Sequence, residues 1–142
     1  MSKKILLDSG PPGRIAHPKA NPEIVDWIQR TLTSGSTLIL PEIADFEVRR
    51  NLILEGLNRS IARLNDLKQL LIYAPLTTSV MLRAAELWAQ ARKRGIPTTG
   101  LKELDADVIL AAQAEEQGAI IATENVGHLS LFVEAYDWRQ IS

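Results

Sequence analysis

The most informative absence in this sequence is that of cysteine, of which the 142 residues contain none. Without cysteine there is no disulfide scaffold, no thiolate metal site and no thiol nucleophile. Long hydrophobic runs are also missing. The apolar run Ile5–Leu7 is too short for the core of a signal peptide, and no run approaches the roughly 20 residues of a membrane span. We therefore expect a soluble, cytoplasmic protein.

A strong charge of either sign and a high aromatic content are absent as well. The formal net charge is −1, and aromatic residues make up 5% of the chain. Any affinity for nucleic acid must therefore come from a local basic patch, with little stacking of bases on aromatic rings. What is present is an ordinary globular composition, 46% apolar and 23% charged, which predicts a single domain over residues 1–142.

Short apolar runs alternate with segments of helical periodicity along the whole chain. The runs that predict buried strands are Ile5–Leu7, Thr37–Leu40, Leu71–Ala74 and Ala119–Ala122, and a last short strand is expected at Tyr136–Trp138. This alternation predicts an α/β fold, a doubly wound sheet of mostly parallel strands with helices on both faces. Ligands of such sheets bind beyond the carboxyl ends of the strands.

Residue types give three further local expectations. Residues 8–13 contain two Gly and two Pro and are expected to form a loop. In the helix opened by Pro41 and Glu42, Phe46 and Ile53 are assigned to the apolar stripe. The helix that runs to Gln117 is expected to begin near Asp105, which would serve as its N-cap.

Two acidic residues occupy positions that a purely structural role explains incompletely. Asp8 directly follows the first predicted strand, where Asp often starts a turn, so a turn and a ligand role both stay open. Glu47 lies near the apolar stripe of its helix, where an unpaired carboxylate is costly. Its structural partners would be Arg50 and Asn51, at helical spacing.

A third candidate is Asp107, near the start of a later helix. Asp107 is in line with Ala111 and Ala114 on the side expected to be buried, and capping does not require an acid there. If Asp8, Glu47 and Asp107 meet in one crevice, their charges repel unless a hard cation neutralises them. Mg²⁺, with Mn²⁺ as a substitute, suits such an all-oxygen site, and clusters of this type most often act on phosphates.

At this point four segments together resemble one known family. They are ILLDSGP at 5–11, LPEIADFEVRRNL at 40–52, LDADVILAAQA at 104–114 and ATENVGHLSLF at 122–132. In this order, the segments are similar to those of PIN-domain ribonucleases, particularly the VapC-like toxins of bacterial toxin–antitoxin pairs. The resemblance covers essentially the whole chain. It implies a Mg²⁺-dependent endoribonuclease that leaves 5′-phosphate and 3′-hydroxyl ends, forms a homodimer and binds a small antitoxin protein.

The resemblance also assigns roles to individual residues. Asp8, Glu47 and Asp107 match the catalytic, metal-binding acids, and Asp105 matches an auxiliary acid. Thr123 and Asn125 match a pair that organises the acid cluster by hydrogen bonds. The family commonly has a further Asp where this chain has His128, so one metal ion is easier to hold than two.

Two roles therefore stay open for His128 and two for Glu124. His128 is expected to lie in the acid crevice, or else to cap the turn that follows it. Glu124 could supply the missing carboxylate, although its neighbours suggest that it points outward. On the helix of Glu47, Arg49 or Arg50 is the candidate for binding a phosphate of the RNA.

Two other functions remain possible at this level. One is a PIN-like nucleic-acid-binding or regulatory domain with little hydrolysis, which the His128 substitution favours. The other is a small-molecule phosphatase, against which the chain has no Gly-rich phosphate loop. The apolar stripes of the helices around 61–71 and 81–91 exceed what one small sheet covers, so a twofold homodimer is predicted.

Overall fold

The computed structural model describes residues 3–19, 21–95 and 101–142 and contains one five-stranded sheet. The strand order is β3-β2-β1-β4-β5, and all four pairings are parallel. The strands are β1 (Lys4–Leu7), β2 (Thr37–Pro41), β3 (Ile72–Ala74), β4 (Ile120–Thr123) and β5 (Ala135–Asp137). The predicted doubly wound α/β fold is confirmed, with every pairing parallel.

Seven α-helices and a short 3-10 helix at Trp138–Gln140 are found in the described residues. The α-helices are α1 (Gly10–Ala16), α2 (Pro22–Thr33), α3 (Glu42–Leu54), α4 (Asn58–Leu70), α5 (Thr78–Lys93), α6 (Leu101–Gln117) and α7 (Val126–Leu129). No helix among the described residues is both long enough and apolar enough to pass through a bilayer.

Alternate side chains of the central strands enter two separate cores. Ile5 and Leu7 pack with Trp27 of α2 on one face of the sheet. Leu6 packs with Leu110 of α6 on the other face. Because successive residues of a strand point to opposite faces, an uninterrupted apolar run is what a strand covered on both sides requires.

The strand order reverses direction at β1, and this reversal creates a crevice. From β1 the chain moves to β2 on one side, while β4 occupies the other side. The connections therefore leave in opposite directions at the carboxyl ends of β1 and β4, the arrangement in which doubly wound sheets bind their ligands. Leu7 pairs with Ala122 there, so the residues that follow these two strands are neighbours.

The expectation of a loop at residues 8–13 is wrong, because α1 begins at Gly10 and contains both prolines. Proline lacks an N–H group, but the first N–H groups of a helix have no partner within the helix. Pro11 and Pro12 therefore fit the first turn of α1, where both are buried.

The buried side of α3 also differs from the expected stripe. Phe46 is 53% exposed and Ile53 61% exposed, whereas Asp45 is only 7% exposed. Asp45 is buried because Arg49 donates two hydrogen bonds to its carboxylate, from Nε at 2.9 Å and from Nη2 at 3.0 Å. The bidentate pair removes the penalty that makes a lone buried carboxylate unfavourable.

Candidate metal and nucleic-acid site

Asp8 and Thr123 form the floor of the crevice between β1 and β4. The backbone N–H of Asp8 donates to the carbonyl of Ala122 at 3.2 Å, which extends the strand pairing by one residue. Thr123 ends β4 and is completely buried. The two side chains, which lie far apart in the sequence, are therefore brought together by the register of the two strands.

Both oxygens of the Asp8 carboxylate are held by hydrogen bonds. The backbone N–H of Gly10 donates to Oδ1 at 2.9 Å, and the Thr123 hydroxyl donates to Oδ2. Thr123 Oγ1 accepts in turn from the backbone N–H of Asn125 at 2.8 Å. The bond from Gly10 has the form of a local Asp turn, so Asp8 combines the turn geometry with a fixed position in the crevice.

Three carboxylates influence one another across this crevice. Burial raises the pKa of Glu47, the nearby Arg50 cation opposes that change, and the charges of Asp8 and Asp107 raise the pKa further. Burial also raises the pKa of Asp8, against the lowering effect of its bonds from Thr123 and Gly10, and the charge of Glu124 adds to the increase. Glu47 thus lies within electrostatic range of both Asp8 and Asp107.

His128 lies beside the acids, as the sequence led us to expect. Its Nδ1 is 3.9 Å from Oδ2 of Asp107 and 3.3 Å from Nδ2 of Asn125. The residue belongs to the single-turn helix α7, and its backbone carbonyl oxygen accepts a hydrogen bond from the N–H of Leu131 at 3.4 Å in the turn that follows. Asn125 therefore connects the Thr123 end of the crevice to the Asp107 end, through its backbone on one side and its amide group on the other.

Asp105 is separated from this group and is not a helix cap. Because α6 begins at Leu101, Asp105 lies inside the helix, and the expected N-cap role is wrong. Two helical positions correspond to about 200° around the axis, so Asp105 and Asp107 point in different directions. Asp105 is exposed and lies instead at an apolar recess between α5 and α6 that includes Trp88.

The two arginines of α3 have different surroundings. Arg49 is held by the buried Asp45. Arg50 is exposed, and its guanidinium carbon lies 5.2 Å from the ring centroid of Phe46. The charge of Arg50 lowers the pKa of Glu47, so Arg50 acts electrostatically on this acid. Asn51 Nδ2 donates to the backbone carbonyl oxygen of Glu47 at 3.4 Å.

Glu124 takes part in an ion-pair network that the sequence did not reveal. Arg14 Nε lies 2.7 Å from Glu124 Oε2, and Arg139 Nη2 lies 3.0 Å from Glu124 Oε1. Burial acts to raise the pKa of Glu124, but the bonds from Arg14 and Arg139 outweigh it and lower the pKa. No local pattern connects these residues, because Arg14 and Glu124 are 110 positions apart.

The donor set suits a hard divalent cation held partly through water. Asp8, Glu47 and Asp107 offer only oxygen atoms, which Mg²⁺ prefers. The described residues contain no group of three or more acidic or histidine side chains drawn close enough for a complete protein-only metal site. Mg²⁺ keeps several of its waters and needs only one or two protein carboxylates, so it does not require such a group.

We expect Glu47→Gln to stabilise the metal-free protein at neutral pH by roughly 1 kcal/mol. The folded pKa of Glu47 is raised above 4.5. Its ionisation therefore destabilises the fold as pH rises through that region, and the penalty is absent below the unfolded pKa. Urea denaturation at pH 4 and pH 7 in EDTA measures the difference. Glu55→Gln, at the exposed end of α3, is the control; an equal gain at both pH values would contradict the expectation.

Comparisons with known proteins add three findings. A family model for the PIN domain matches residues 5–130. A search of curated proteins finds no match. Several solved structures are similar over nearly their full length. VapBC2 from Rickettsia felis has a TM-score of 0.79 at 13% identity, and the match covers 95% of this chain and 98% of that chain. FitAcB from Neisseria gonorrhoeae has a TM-score of 0.74 at 21% identity, and VapBC-1 from nontypeable Haemophilus influenzae has a TM-score of 0.73 at 18% identity; each match covers 96% of this chain and 99% of the other.

Proposed function

This chain belongs to the PIN domain family, and from that premise we propose that it is a Mg²⁺-dependent endoribonuclease, the toxin of a VapBC-type pair. PIN domains are generally nucleases, so the family supports a hydrolase acting on nucleic acid. The observation that carries the finer proposal is the fixed position of the Asp8 carboxylate at the carboxyl ends of β1 and β4, where Gly10 and Thr123 hold both of its oxygens. The charges of Asp8 and Asp107 both act on Glu47 there. The proposal includes a single domain over residues 1–142 and a cytoplasmic location.

Each side chain in the crevice has a separate task in this proposal. Asp8, Glu47 and Asp107 would hold Mg²⁺, or Mn²⁺ in its place, directly or through water. A bound ion of this kind activates a water molecule and offsets charge on the phosphate. Gly10 and Thr123 fix the two oxygens of Asp8. Asp105 is left out, because it points away from Asp107.

Arg50 is the basic residue of α3 that this proposal assigns to a phosphate beside the scissile bond. Its guanidinium is exposed, and its charge acts on Glu47. Arg49 is less suited, because two of its N–H groups already bind the buried Asp45. A guanidinium with free N–H groups can bind phosphate oxygens in a bidentate manner.

The direct test is to incubate the protein with a structured RNA in millimolar Mg²⁺ and to identify the ends of the products. Mass spectrometry should find 5′-phosphate and 3′-hydroxyl ends, and EDTA should stop the reaction. Cyclic phosphate ends would indicate attack by the ribose 2′-hydroxyl and would contradict metal-dependent hydrolysis.

A second candidate function is a nucleic-acid-binding PIN domain with little hydrolysis. The observation in its favour is that His128, not a carboxylate, stands beside Asp107. Calorimetric titration separates the two, because the nuclease must bind Mg²⁺ or Mn²⁺ at millimolar concentration and the alternative need not. His128→Asp, which adds a carboxylate, should then tighten Mg²⁺ binding only if the crevice holds metal.

We also propose that the chain binds a small antitoxin protein and forms a homodimer. The similar solved structures are described as VapBC and FitAB assemblies, which supports a protein partner. Part of the apolar stripe that the sequence suggested on α5 is already covered within the chain, because Ala84 and Ala91 pack against α6.

Other apolar residues of α5 remain at the surface. Met81 is 44% exposed and Leu82 63% exposed. Next to them a recess of about 420 Å³ lies between α5 and α6, lined mainly by apolar side chains that include Trp88. A twofold contact places the same surface of both copies together, so these residues would cover one another in a dimer.

We expect Leu82→Glu to convert the dimer into a monomer. Dimerisation would bury the Glu carboxylate in an apolar interface without an ionic partner. The desolvation cost of several kcal/mol is more than a small interface contributes to the free energy of association. Light scattering at tens of micromolar should give twice the 15.7 kDa chain mass for the wild type and the chain mass for the variant. Leu54→Glu, at a position 83% exposed on α3, should stay dimeric. A monomeric wild type would contradict the prediction.

A further inference from the structure

We propose that the groove between α1 and the start of α2, here called the α1 groove, binds the phosphate backbone of the RNA on one side of the scissile bond. This inference rests on the proposed endoribonuclease function and adds the path of the substrate. The α1 groove has a volume of about 470 Å³ and is lined by Gly10, Gly13, Arg14, His17, Lys19 and Asn21.

The lining of the α1 groove suits a polyanion and little else. Arg14 and Lys19 bring two positive charges, and none of the lining residues is acidic. Protein partners are recognised chiefly through aromatic and aliphatic side chains at the centre of an interface. The α1 groove has no such side chain in its lining, so a nucleic-acid backbone fits it better than an acidic protein segment does.

The α1 groove is continuous with the acid crevice through Gly10. The backbone N–H of Gly10 binds Asp8 Oδ1, and a Cβ atom at Gly10 would lie only 3.2 Å from that oxygen and 3.6 Å from Glu124 Oε2. Gly10 therefore lines the groove and touches the crevice at the same time. Its lack of a side chain leaves the passage between the two open.

Arg14 has the right connections to accept a phosphate without leaving Glu124 unpaired. Arg14 uses one N–H group, Nε, to bind Glu124 Oε2. A guanidinium has five N–H donors, so the Nη groups remain for a phosphate. Should Arg14 turn fully to the phosphate, Arg139 still holds Glu124 through Oε1 at 3.0 Å.

His17 adds a ring N–H donor beside these cations. Its Nδ1 accepts a hydrogen bond from the backbone N–H of Lys19 at 3.0 Å. In the neutral ring the proton must then be on Nε2, which gives the exposed side chain a donor for a phosphate oxygen. The same contact fixes the backbone of Lys19 next to the ring.

The test compares two double variants that each remove one Arg and one Lys. Arg14→Ala/Lys19→Ala changes the α1 groove. The control, Lys3→Ala/Arg30→Ala, changes exposed residues before the amino end of β1 and near the end of α2, the helix that leads into the amino end of β2. The measurement is fluorescence anisotropy of a labelled 12-nucleotide single-stranded RNA in EDTA, over a range of salt concentrations.

The groove variant should bind the RNA about tenfold more weakly than the control. Each phosphate contact contributes about 0.7 to the slope of log K against log salt for single strands, so its slope should also fall by about 1.4. If the groove variant matches the control in affinity and slope, the α1 groove does not bind RNA and the inference is overturned. A hexaglutamate peptide is measured in the same way. If the groove variant loses affinity for this peptide but not for the RNA, the α1 groove belongs to an acidic protein segment and the inference is also overturned.

Failure of this inference is distinguishable from failure of the proposed function. Cleavage of RNA in Mg²⁺ by the wild type tests the nuclease, independently of the groove. If the wild type cleaves and the groove variant cleaves with an unchanged KM, only the RNA path is wrong. If the α1 groove acts as inferred, the groove variant should show a raised KM while its Mg²⁺ requirement stays unchanged.

Discussion

Asp8→Asn should reduce RNA cleavage in Mg²⁺ by about a thousandfold or more, which corresponds to roughly 4 kcal/mol of transition-state stabilisation. An amide replaces a charged ligand at the floor of the crevice, and a metal-bound water loses much of its activation when the ion is displaced. Initial rates on one structured RNA at saturating Mg²⁺ provide the measurement.

The same substitution should leave the fold intact. Burial raises the pKa of Asp8, so its ionised form is already unfavourable in the metal-free fold, and a neutral side chain of the same shape removes that penalty. Circular dichroism and urea denaturation in EDTA check this point. Asp66→Asn, at an exposed position of α4, is the matched control and should cleave normally. Wild-type rates for Asp8→Asn would show that Asp8 is not in the reaction.

Thr123→Val should reduce cleavage by about 10- to 100-fold, the range typical of residues that orient a metal ligand. Valine keeps the shape of threonine but cannot donate a hydrogen bond. Asp8 Oδ2 then loses its donor, and the N–H of Asn125 loses its acceptor. Because Thr123 is completely buried, water cannot replace either bond easily.

Two readouts distinguish this orienting role from a general loss of stability. The Mg²⁺ concentration needed for half-maximal rate should rise in Thr123→Val. Thr123→Ser, which restores the hydroxyl, should recover most of the activity. If the valine variant is slower but has an unchanged Mg²⁺ requirement, Thr123 supports the strand end and does not orient Asp8.

Much of the fold was predictable from short-range patterns. Runs such as Ile5–Leu7 are typical of strands covered on both faces, and the alternation with helices predicts parallel pairing. The loop expected at residues 8–13 was wrong because Gly and Pro residues also suit the first turn of a helix. Composition alone does not distinguish these two uses of the same residues.

The buried side of α3 was harder to predict for a different reason. Phe46 has the more apolar side chain, yet Asp45 is the residue that faces inward. The pairing of Asp45 with Arg49 follows helical spacing and could have been proposed. Which of the two faces is covered depends on the neighbouring elements, and periodicity does not contain that information.

The sequence by itself determined the α/β class, the position of Asp8 at a strand end and the likeness to the PIN family, because each depends on short local segments and on their order along the chain. Only the tertiary structure decided which distant side chains meet. The register of β1 against β4 places Thr123 on Asp8, and the approach of α1 to the same strand end joins Arg14 to Glu124. Such contacts depend on strand order and helix packing, which result from the burial of the whole apolar core and leave no local pattern in the sequence.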